Sequence, residues 1–119
     1  INSSPLISLN PESDGKKYLF FGTDSGIMYK IDRLTGATMW TFKVGNPIKT
    51  GPITDDTYIY FGAEDGYLYA LSNAAGALRS GYPVYAGEPI RSDPVIDMDN
   101  MRLYFTSLNG KIYCINIAP

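Results

Sequence analysis

The sequence lacks the residue on which much protein acid–base and nucleophilic chemistry relies. Its 119 residues include no histidine, so a Ser-His-Asp triad, a Cys-His pair and a histidine-bearing zinc site are impossible within this chain. The remaining groups include one cysteine, Cys114, and twelve Asp and Glu carboxylates. We therefore predict no catalytic residues in this chain.

Two of the carboxylates, Asp97 and Asp99, have the alternate spacing of ligands in a calcium loop. The next alternate position is Met101, and Arg102 stands where such a loop has its glycine. Two ligands do not make a site, so we predict no metal ion and interpret these residues as a turn in which Asp bonds to its own backbone. The same interpretation applies to three other aspartates, Asp24, Asp55 and Asp56.

The remaining motifs have structural interpretations. Cys114 has no second cysteine to pair with, and its place on a predicted packed strand without a basic neighbour predicts a small buried hydrophobic residue. Gly22 and Gly26 do not form a phosphate loop, because no helix pattern and no Lys-Ser/Thr pair follow them. The tripeptide Asn2-Ser3-Ser4 matches a glycosylation acceptor, a pattern that is common by chance.

The composition is that of a globular chain. Hydrophobic residues make up 45% and charged residues 18%. The net charge is −2 and no run of Lys or Arg forms a stripe that could neutralise phosphates, so we expect no nucleic-acid partner. No apolar run approaches the roughly 18 residues needed to cross a bilayer. The chain begins at Ile1 without a starting Met or a signal sequence, and we expect it to be a processed product or a segment cut from a longer chain.

One pattern occurs three times along the chain. An aromatic pair, a short turn ending in glycine and a second strand recur at 20–31, 60–71 and 104–115. The turn glycines Gly26, Gly66 and Gly110 are 40 and 44 residues apart, a period that fits a β-propeller blade and exceeds that of a leucine-rich coil. Alternation with period two inside each copy, without a sustained period of 3.6, excludes paired helices.

The copies predict four, four and three strands. The predicted strands lie at 6–9, 17–23, 27–32, 37–44, 52–55, 58–63, 67–72, 78–86, 94–97, 102–107 and 111–117. Both faces of the 67–72 strand are apolar, as expected for a sheet packed between two others. We predict an all-β fold with one partial propeller domain, 1–119. Its antiparallel blades would cover 4–46, 51–88 and 93–119, the last lacking its outer strand.

The first copy carries a further signature. After a strand ending Tyr-Lys-Ile come Asp32, a Thr-Gly turn at Gly36, and Trp40. This resembles the tryptophan-docking signature of the pyrroloquinoline-quinone-like (quinoprotein-type) β-propeller repeats. The resemblance implies that these three residues dock blades: Trp40 packs between neighbouring blades, Asp32 bonds the turn and Gly36 allows a close approach.

The other copies depart from this signature. Ser72 stands in place of Asp32, and Ser80 aligns with Trp40, while the third copy ends before reaching it. The stretch 73–99 also resembles integrin-type and related extracellular bacterial repeats, in which an Asp-x-Asp-x-Asp-Gly loop can hold calcium. Dehydrogenases of the quinone family hold pyrroloquinoline quinone and calcium in the central channel. No positions here match that set, so the cofactor-binding residues stay unknown and the quinone is implied by family resemblance only.

Three blades cannot close into a ring, because closed propellers have about four to eight. Each end blade would expose an apolar face on the order of several hundred Å², and the strand at 111–117 would be an unpaired edge. The covering is expected to be the remaining blades of a longer chain, which we favour, or a second copy, unless the chain stays an open wedge.

The function favoured by these patterns is that of a non-catalytic scaffold. Its blade-connecting loops would present a binding surface to a protein or envelope partner, as part of a larger propeller. The alternatives are a fragment of a pyrroloquinoline-quinone-dependent dehydrogenase and a calcium-stabilised extracellular propeller. The family resemblance implies a periplasmic, cell-surface or extracellular location.

Overall fold

The structure, a computed structural model, describes residues 5–7 and 15–118. Within these ranges the chain forms three antiparallel sheets, each with its strands in chain order. The first contains β1 (Leu6–Ile7), β2 (Tyr18–Gly22), β3 (Ile27–Asp32) and β4 (Thr38–Lys43). The second contains β5 (Ile53–Thr54), β6 (Tyr58–Gly62), β7 (Tyr67–Ser72) and β8 (Val84–Tyr85), and the third β9 (Val95–Asp97), β10 (Arg102–Thr106) and β11 (Ile112–Asn116). The predicted all-β fold of four, four and three strands is confirmed.

The hairpins at the centre of the sheets explain the glycine spacing. Gly26, Gly66 and Gly110 have φ of +84°, +84° and +83°, the left-handed conformation that glycine adopts without steric cost. In the second hairpin, the Asp65 carboxylate also accepts a hydrogen bond from the Tyr67 N–H at 3.0 Å. Each turn is therefore favoured by its own local sequence.

We call the face of a sheet that is directed toward the preceding sheet in the chain its near face. In the first sheet, the near face is the one that carries the equivalent residues. In the second sheet it consists of Ile59, Phe61, Tyr69 and Leu71, all buried, and it packs against residues of the first sheet that include Met28. The same stacked Phe–Tyr pair stands on all three near faces, with ring centroids 5.2, 5.3 and 5.0 Å apart: Phe21–Tyr29, Phe61–Tyr69 and Phe105–Tyr113.

The opposite surface of each sheet is its far face, directed toward the following sheet. In the second sheet it includes Tyr60, Leu68 and Ala70, each 0% exposed, which pack with Leu103 and Phe105 from the near face of the third sheet. Near face therefore meets far face at both internal interfaces. The middle sheet is buried on both sides, as its sequence predicts.

The connectors between sheets each carry an isoleucine that enters the blade before it. Ile48 and Ile90, the connector isoleucines, are 0% exposed, and their N–H groups donate to Thr23 O (3.1 Å) and Ala63 O (3.2 Å). A Cβ on Gly62 would lie 2.2 Å from Ile90 Cγ2, so only glycine fits beneath it. The repeated string Gly-x-Pro-Ile at 45–48 and 87–90 is the sequence signal for this contact, which the strand and turn patterns alone do not predict.

The outer strand of the second blade is shorter than predicted. The expected strand at 78–86 is limited to β8 and a single bridge between Leu71 and Leu78. Gly81, with φ of +87°, turns the chain, and Pro83 has no N–H to donate to a ladder. Residues 8 and 9 of the first predicted strand lie outside the described residues. The part of the chain seen in the structure contains no helix long and apolar enough to cross a membrane.

The connector contact gives a stability prediction. Gly62→Ala should lower the free energy of unfolding by about 1–3 kcal/mol, the usual cost of overpacking a core, as measured by urea denaturation. In the double variant Gly62→Ala/Ile90→Gly the added methyl meets neither the Cγ2 nor the Cβ of residue 90, which would lie 2.2 and 2.5 Å from it. A double-mutant cycle should then show coupling of about 1 kcal/mol or more, whereas additive losses would contradict the proposed clash.

Candidate functional site

Trp40 lies half-buried on β4, at the junction of the first and second blades. Its indole N–H donates a hydrogen bond of 2.8 Å to the Asn73 carbonyl oxygen of the second blade. The ring lies against the backbone of Gly76, where a Cβ would come within 2.5 Å of the indole. Any larger residue at 76 would displace the tryptophan.

A buried lysine uses the same carbonyl. Lys30 is 3% exposed, and its Nζ donates to Asn73 O at 2.9 Å while lying 4.4 Å from the centre of the Tyr18 ring. A cation on an aromatic face is stabilised by the ring quadrupole. Indole and ammonium groups of the first blade therefore converge on one backbone oxygen of the second.

Asp32 and Gly36 shape the turn that precedes Trp40. The Asp32 carboxylate accepts hydrogen bonds from the N–H groups of Leu34 (2.9 Å) and Thr35 (3.3 Å), and these bonds hold the pKa of Asp32 below its usual value. Gly36 has φ of +76° and nothing described lies within 4 Å of where its Cβ would be. The close approach expected at Gly36 is therefore absent there and occurs at the equivalent glycine of the next blade, Gly76.

The second blade places an arginine where the first has its tryptophan. Trp40 pairs with Lys30 across β3 and β4, and the Arg79 N–H donates to the oxygen of Ala70, the equivalent of Lys30. Sequence alignment places Ser80 at this position, because the first blade has an irregularity in its β3–β4 register. The structure assigns the position to Arg79.

Arg79 joins the second blade to the third. Its guanidinium donates to the Tyr60 hydroxyl at 2.7 Å and to the carbonyl oxygens of Ile117 (3.3 Å) and Ala118 (2.9 Å), and it lies 4.3 Å from the Tyr58 ring centre. Ile117 is the repeat equivalent of Asn73. Trp40 and Arg79 thus reach the same backbone position of the following blade with different donors.

The Tyr60 phenol beside Arg79 has a raised pKa. Burial, with a contribution from the Asp55 charge, raises the pKa of Tyr60 well above its ordinary value. The Tyr60 hydroxyl donates to Asp55 Oδ2 at 3.3 Å while it accepts from Arg79. Asp55, interpreted from the sequence as a turn residue, also accepts from the Thr57 and Tyr58 N–H groups.

The structure uses Asp97 within its own turn. Its Oδ1 accepts from the N–H groups of Asp99 (3.2 Å) and Asn100 (3.4 Å), and its Oδ2 accepts from the Asn100 side chain at 2.9 Å. The Asn100 side-chain bond is the main cause of a lowered pKa for Asp97. Among the described residues, no group of three or more Asp, Glu, His and Cys side chains could hold a metal ion.

Cys114 is exposed on β11, so the prediction that it is buried was wrong. It pairs with Tyr104 across the β10–β11 hairpin, on the far face of the third blade. The equivalent residues of the other blades, Lys30 and Ala70, are 3% and 0% exposed because another sheet covers them. The strand was predicted correctly, and Cys114 is exposed because no described sheet covers this face of the third blade.

The third blade contains a cavity of about 280 Å³. It is lined by Arg91, Ser92, Thr106, Ser107 and Leu108. Thr106 and Ser107 are the repeat equivalents of Gly62 and Ala63, the residues that Ile90 covers in the second blade. In the part of the chain that the structure describes, no connector isoleucine covers this position on the third blade.

Arg79 provides a direct test of the inter-blade contact. Arg79→Lys keeps the charge, but one ammonium cannot reach a hydroxyl and two carbonyls as a fork does. We expect a loss of about 1–2 kcal/mol in the free energy of unfolding, measured by urea denaturation. The matched control is Arg33→Lys at an exposed position, which should change stability by less than about 0.5 kcal/mol. Equal effects of the two substitutions would contradict the role of Arg79.

Solved structures share the fold of this chain. BamB from Moraxella catarrhalis superposes with a TM-score of 0.75 at 16% identity, covering 98% of this chain and 34% of that one. Quinohemoprotein alcohol dehydrogenase from Comamonas testosteroni gives 0.77 at 16% identity, covering 98% and 19%. The computationally designed Ika4 protein gives 0.72 at 14% identity, covering 85% and 61%. These likenesses show the fold, and the chain spans only about a third of BamB and a fifth of the dehydrogenase.

Sequence comparison identifies the family. No curated protein matches the chain by sequence. A family model described as outer membrane protein assembly factor BamB matches residues 5–79, more than half of the chain, and takes in both the Asp32–Trp40 signature and Arg79. The chain is therefore a β-propeller segment belonging to the pyrroloquinoline-quinone-like repeat family of the outer membrane protein assembly factor BamB.

Proposed function

We propose that this chain is a non-catalytic propeller segment that binds a protein partner in the cell envelope. The binding surface is the turn-and-connector face, formed by the hairpin turns and blade connectors at 24–26, 45–49, 64–66, 87–91 and 108–110. The observation that carries the proposal is the third-blade cavity on this face, where Thr106 stands in place of the glycines that Ile48 and Ile90 cover in the first two blades.

The chemistry of the cavity suits an extended peptide segment. The Ser92 hydroxyl lies 2.5 Å from Thr106 Oγ1 and 3.2 Å from Thr106 O, so one wall is polar. Leu108 is 55% exposed at the rim and supplies apolar contact area. Arg91 donates from Nε to Glu64 at 2.8 Å, and its guanidinium fork stands beside the opening for a carbonyl or carboxylate of the partner.

Thr106 makes the cavity selective. A Cβ at the equivalent glycines would lie 2.4 Å from Ile48 and 2.2 Å from Ile90, so an isoleucine cannot enter the third blade as it enters the others. The residue inserted by a partner should be smaller or approach along another path. This difference supports a site for a foreign segment over a repeat of the chain's own connector.

Family membership indicates the class of partner. The matching family is described as an outer membrane protein assembly factor, so we propose a protein of the outer-membrane assembly machinery as the partner and the periplasm as the location. The internal contacts agree with a scaffold, because Asp32, Asp55, Asp97 and Arg79 all bond within or between blades.

The donor set does not fit a quinone–calcium site. Such a site needs several acidic and amide groups converging on one position, and the described residues offer no group of three candidate metal ligands. The inner strands β1, β5 and β9 contain mainly Leu, Ile and Val, with Thr54 and Asp97 as their polar residues. We derive no step through the quinone.

Site-directed photocrosslinking tests the binding surface. A photoreactive phenylalanine at Leu108 in the full-length protein should crosslink in cells to a protein that mass spectrometry identifies as part of the outer-membrane assembly machinery. The control is the same residue at Leu34, 78% exposed on a β3–β4 turn. Filling the cavity with Ser92→Phe should reduce the Leu108 crosslink at least tenfold without changing the melting temperature. Equal crosslinking at both positions, or none at Leu108, would refute the proposal that this face binds a partner.

A titration tests the alternative of a quinone-dependent enzyme. Pyrroloquinoline quinone with excess Ca²⁺ should give no saturable change in the tryptophan fluorescence of this chain, which has a single tryptophan. A purified quinone-dependent dehydrogenase serves as the positive control. Saturable one-to-one binding would support a quinone-dependent dehydrogenase and contradict the non-catalytic scaffold.

A further inference from the structure

Two tyrosines of the middle blade reach solvent although a blade packs on each side of it. Tyr67 and Tyr85 pair across β7 and β8, with ring centroids 4.8 Å apart and an interplanar angle of 40°. Tyr85 is 61% exposed, and Tyr67 is partly exposed. Because the first and third blades flank this sheet, the exposure of the two rings is a property of the middle blade itself.

The tyrosine pair departs from the repeat. Ile27 and Lys43 pair at the equivalent place in the first blade, and Lys111 stands in place of Tyr67 in the third. The first blade forms the same register at this point without an aromatic residue, so the sheet does not require the tyrosines. Exposed aromatic side chains that the fold does not require are typical of binding surfaces.

The pair begins a continuous row of rings. Tyr67 lies 6.4 Å from Tyr69, and Tyr69 lies 6.1 Å from Phe42 of the first blade, both measured between ring centroids. We call these four rings, Tyr85, Tyr67, Tyr69 and Phe42, the tyrosine strip. It runs from the outer strand of the second blade to the outer strand of the first. Tyr69 is 8% exposed, so a buried ring holds the strip in place while its outer rings face solvent.

The exposed end of the strip carries hydrogen-bond donors. The buried Tyr69 hydroxyl donates to Asp65 Oδ2 at 2.5 Å. The hydroxyls of Tyr67 and Tyr85, in contrast, make no hydrogen bond with any residue that the structure describes. Each of these two phenols can therefore donate to a carbonyl oxygen of a ligand.

The charged residues that these contacts place beside the strip are acidic. Asp65 Oδ1 accepts from the Tyr67 N–H at 3.0 Å. A Cβ on Gly66 would lie 3.3 Å from the Tyr85 ring and 3.2 Å from the carbonyl oxygen of Glu88, an exposed residue. A basic side chain of a ligand would complement these carboxylates and could also stack on tyrosine.

The outer strand beside the tyrosines is too short to pair with a strand of a partner. β8 has only two residues, and Pro83 before it has no N–H to donate to a ladder. A polyproline II segment needs no ladder, because it packs proline rings on aromatic side chains and its carbonyl oxygens remain open to donors. Exposed tyrosine rings with phenol donors suit this conformation.

We propose that the tyrosine strip binds a proline-rich segment of a partner in the polyproline II conformation, with a basic residue of the segment beside Asp65 and Glu88. The prolines stack on Tyr67 and Tyr85, whose hydroxyls donate to carbonyl oxygens of the segment. Because such a segment holds this conformation before binding, little chain entropy is lost. The strip does not include the third-blade cavity or Leu108, so this binding is independent of the contact tested by photocrosslinking.

Fluorescence anisotropy with the full-length protein tests the proposal. The probe is a labelled synthetic peptide of repeated Pro-Pro-Ala units that ends in Arg. The comparison peptide has Ala in place of every Pro and keeps the same charge. We expect saturable binding of the proline peptide and binding of the alanine peptide that is weaker by about tenfold or more, because alanine neither stacks as proline does nor holds the extended conformation.

The matched variants restore the residues of the first blade. Tyr67→Ile and Tyr85→Lys reproduce the Ile27–Lys43 pair, which the same register accommodates, so the fold should be retained. Each should weaken binding of the proline peptide by about tenfold or more, as expected for an aromatic anchor. The control Ala74→Lys adds a charge at an exposed position beyond the other end of β7 and should change the affinity by less than about twofold.

Several outcomes would overturn the proposal. Absence of saturable binding, or equal affinity for the two peptides, would show that the strip does not recognise proline. Undiminished binding to both tyrosine variants would place the peptide elsewhere, and displacement of the peptide by a soluble glucan oligosaccharide would indicate a site for sugar rings. Tyr85→Lys alone decides the test if Tyr67→Ile is misfolded by circular dichroism. A photocrosslink at Leu108 would stand in each case.

Discussion

The structure depends on the packing of one near face against one far face. Phe61 and Tyr69 present flat aromatic surfaces to residues of the first sheet such as Met28, and the equivalent contact with the third sheet buries the other side of the middle sheet. No blade has a complete core of its own, because the side chains that fill it come from two sheets. The hydrophobic effect therefore acts between repeats, as is typical of repeat architectures, while hydrogen bonds within each sheet set only its strand order.

The polar contacts at the two blade junctions use different donor groups, but these groups bond to equivalent backbone positions. The carbonyl at 73 accepts from an indole and an ammonium group, and the equivalent carbonyl at 117 accepts from a guanidinium group. The cation changes its place between the blades while the ring keeps its own: Lys30 on β3 covers Tyr18 in the first, and Arg79, beyond β7, covers the equivalent Tyr58 in the second. The backbone oxygen is the constant feature, because it belongs in both blades to the residue that directly follows the third strand.

Sequence reasoning predicted the strands and turns well where local chemistry decides them. Gly26, Gly66 and Gly110 fixed three hairpins, and period-two alternation located most strands to within a few residues. Features that depend on a neighbour were missed. The role of Arg79 could not be predicted, because a register irregularity in the first blade shifts the alignment by one residue. The exposure of Cys114 could not be predicted either, because it depends on whether a fourth sheet lies beside it. The cavity of the third blade has Thr106 where the other blades have a glycine, a difference whose meaning becomes visible only when Ile90 is seen above Gly62.

The connectors have a consequence for how the repeat should be divided. Ile48 lies beyond the first blade in the chain yet completes its interior, and the oxygen of the preceding residue, Pro47, already accepts from the Glu64 N–H of the second blade. A fragment cut between two sheets would leave a hole in the upstream sheet and an unpaired amide in the downstream one. The repeat unit is thus better defined as a sheet together with the connector that follows it, and the interior of each blade is complete only once that connector has been synthesised.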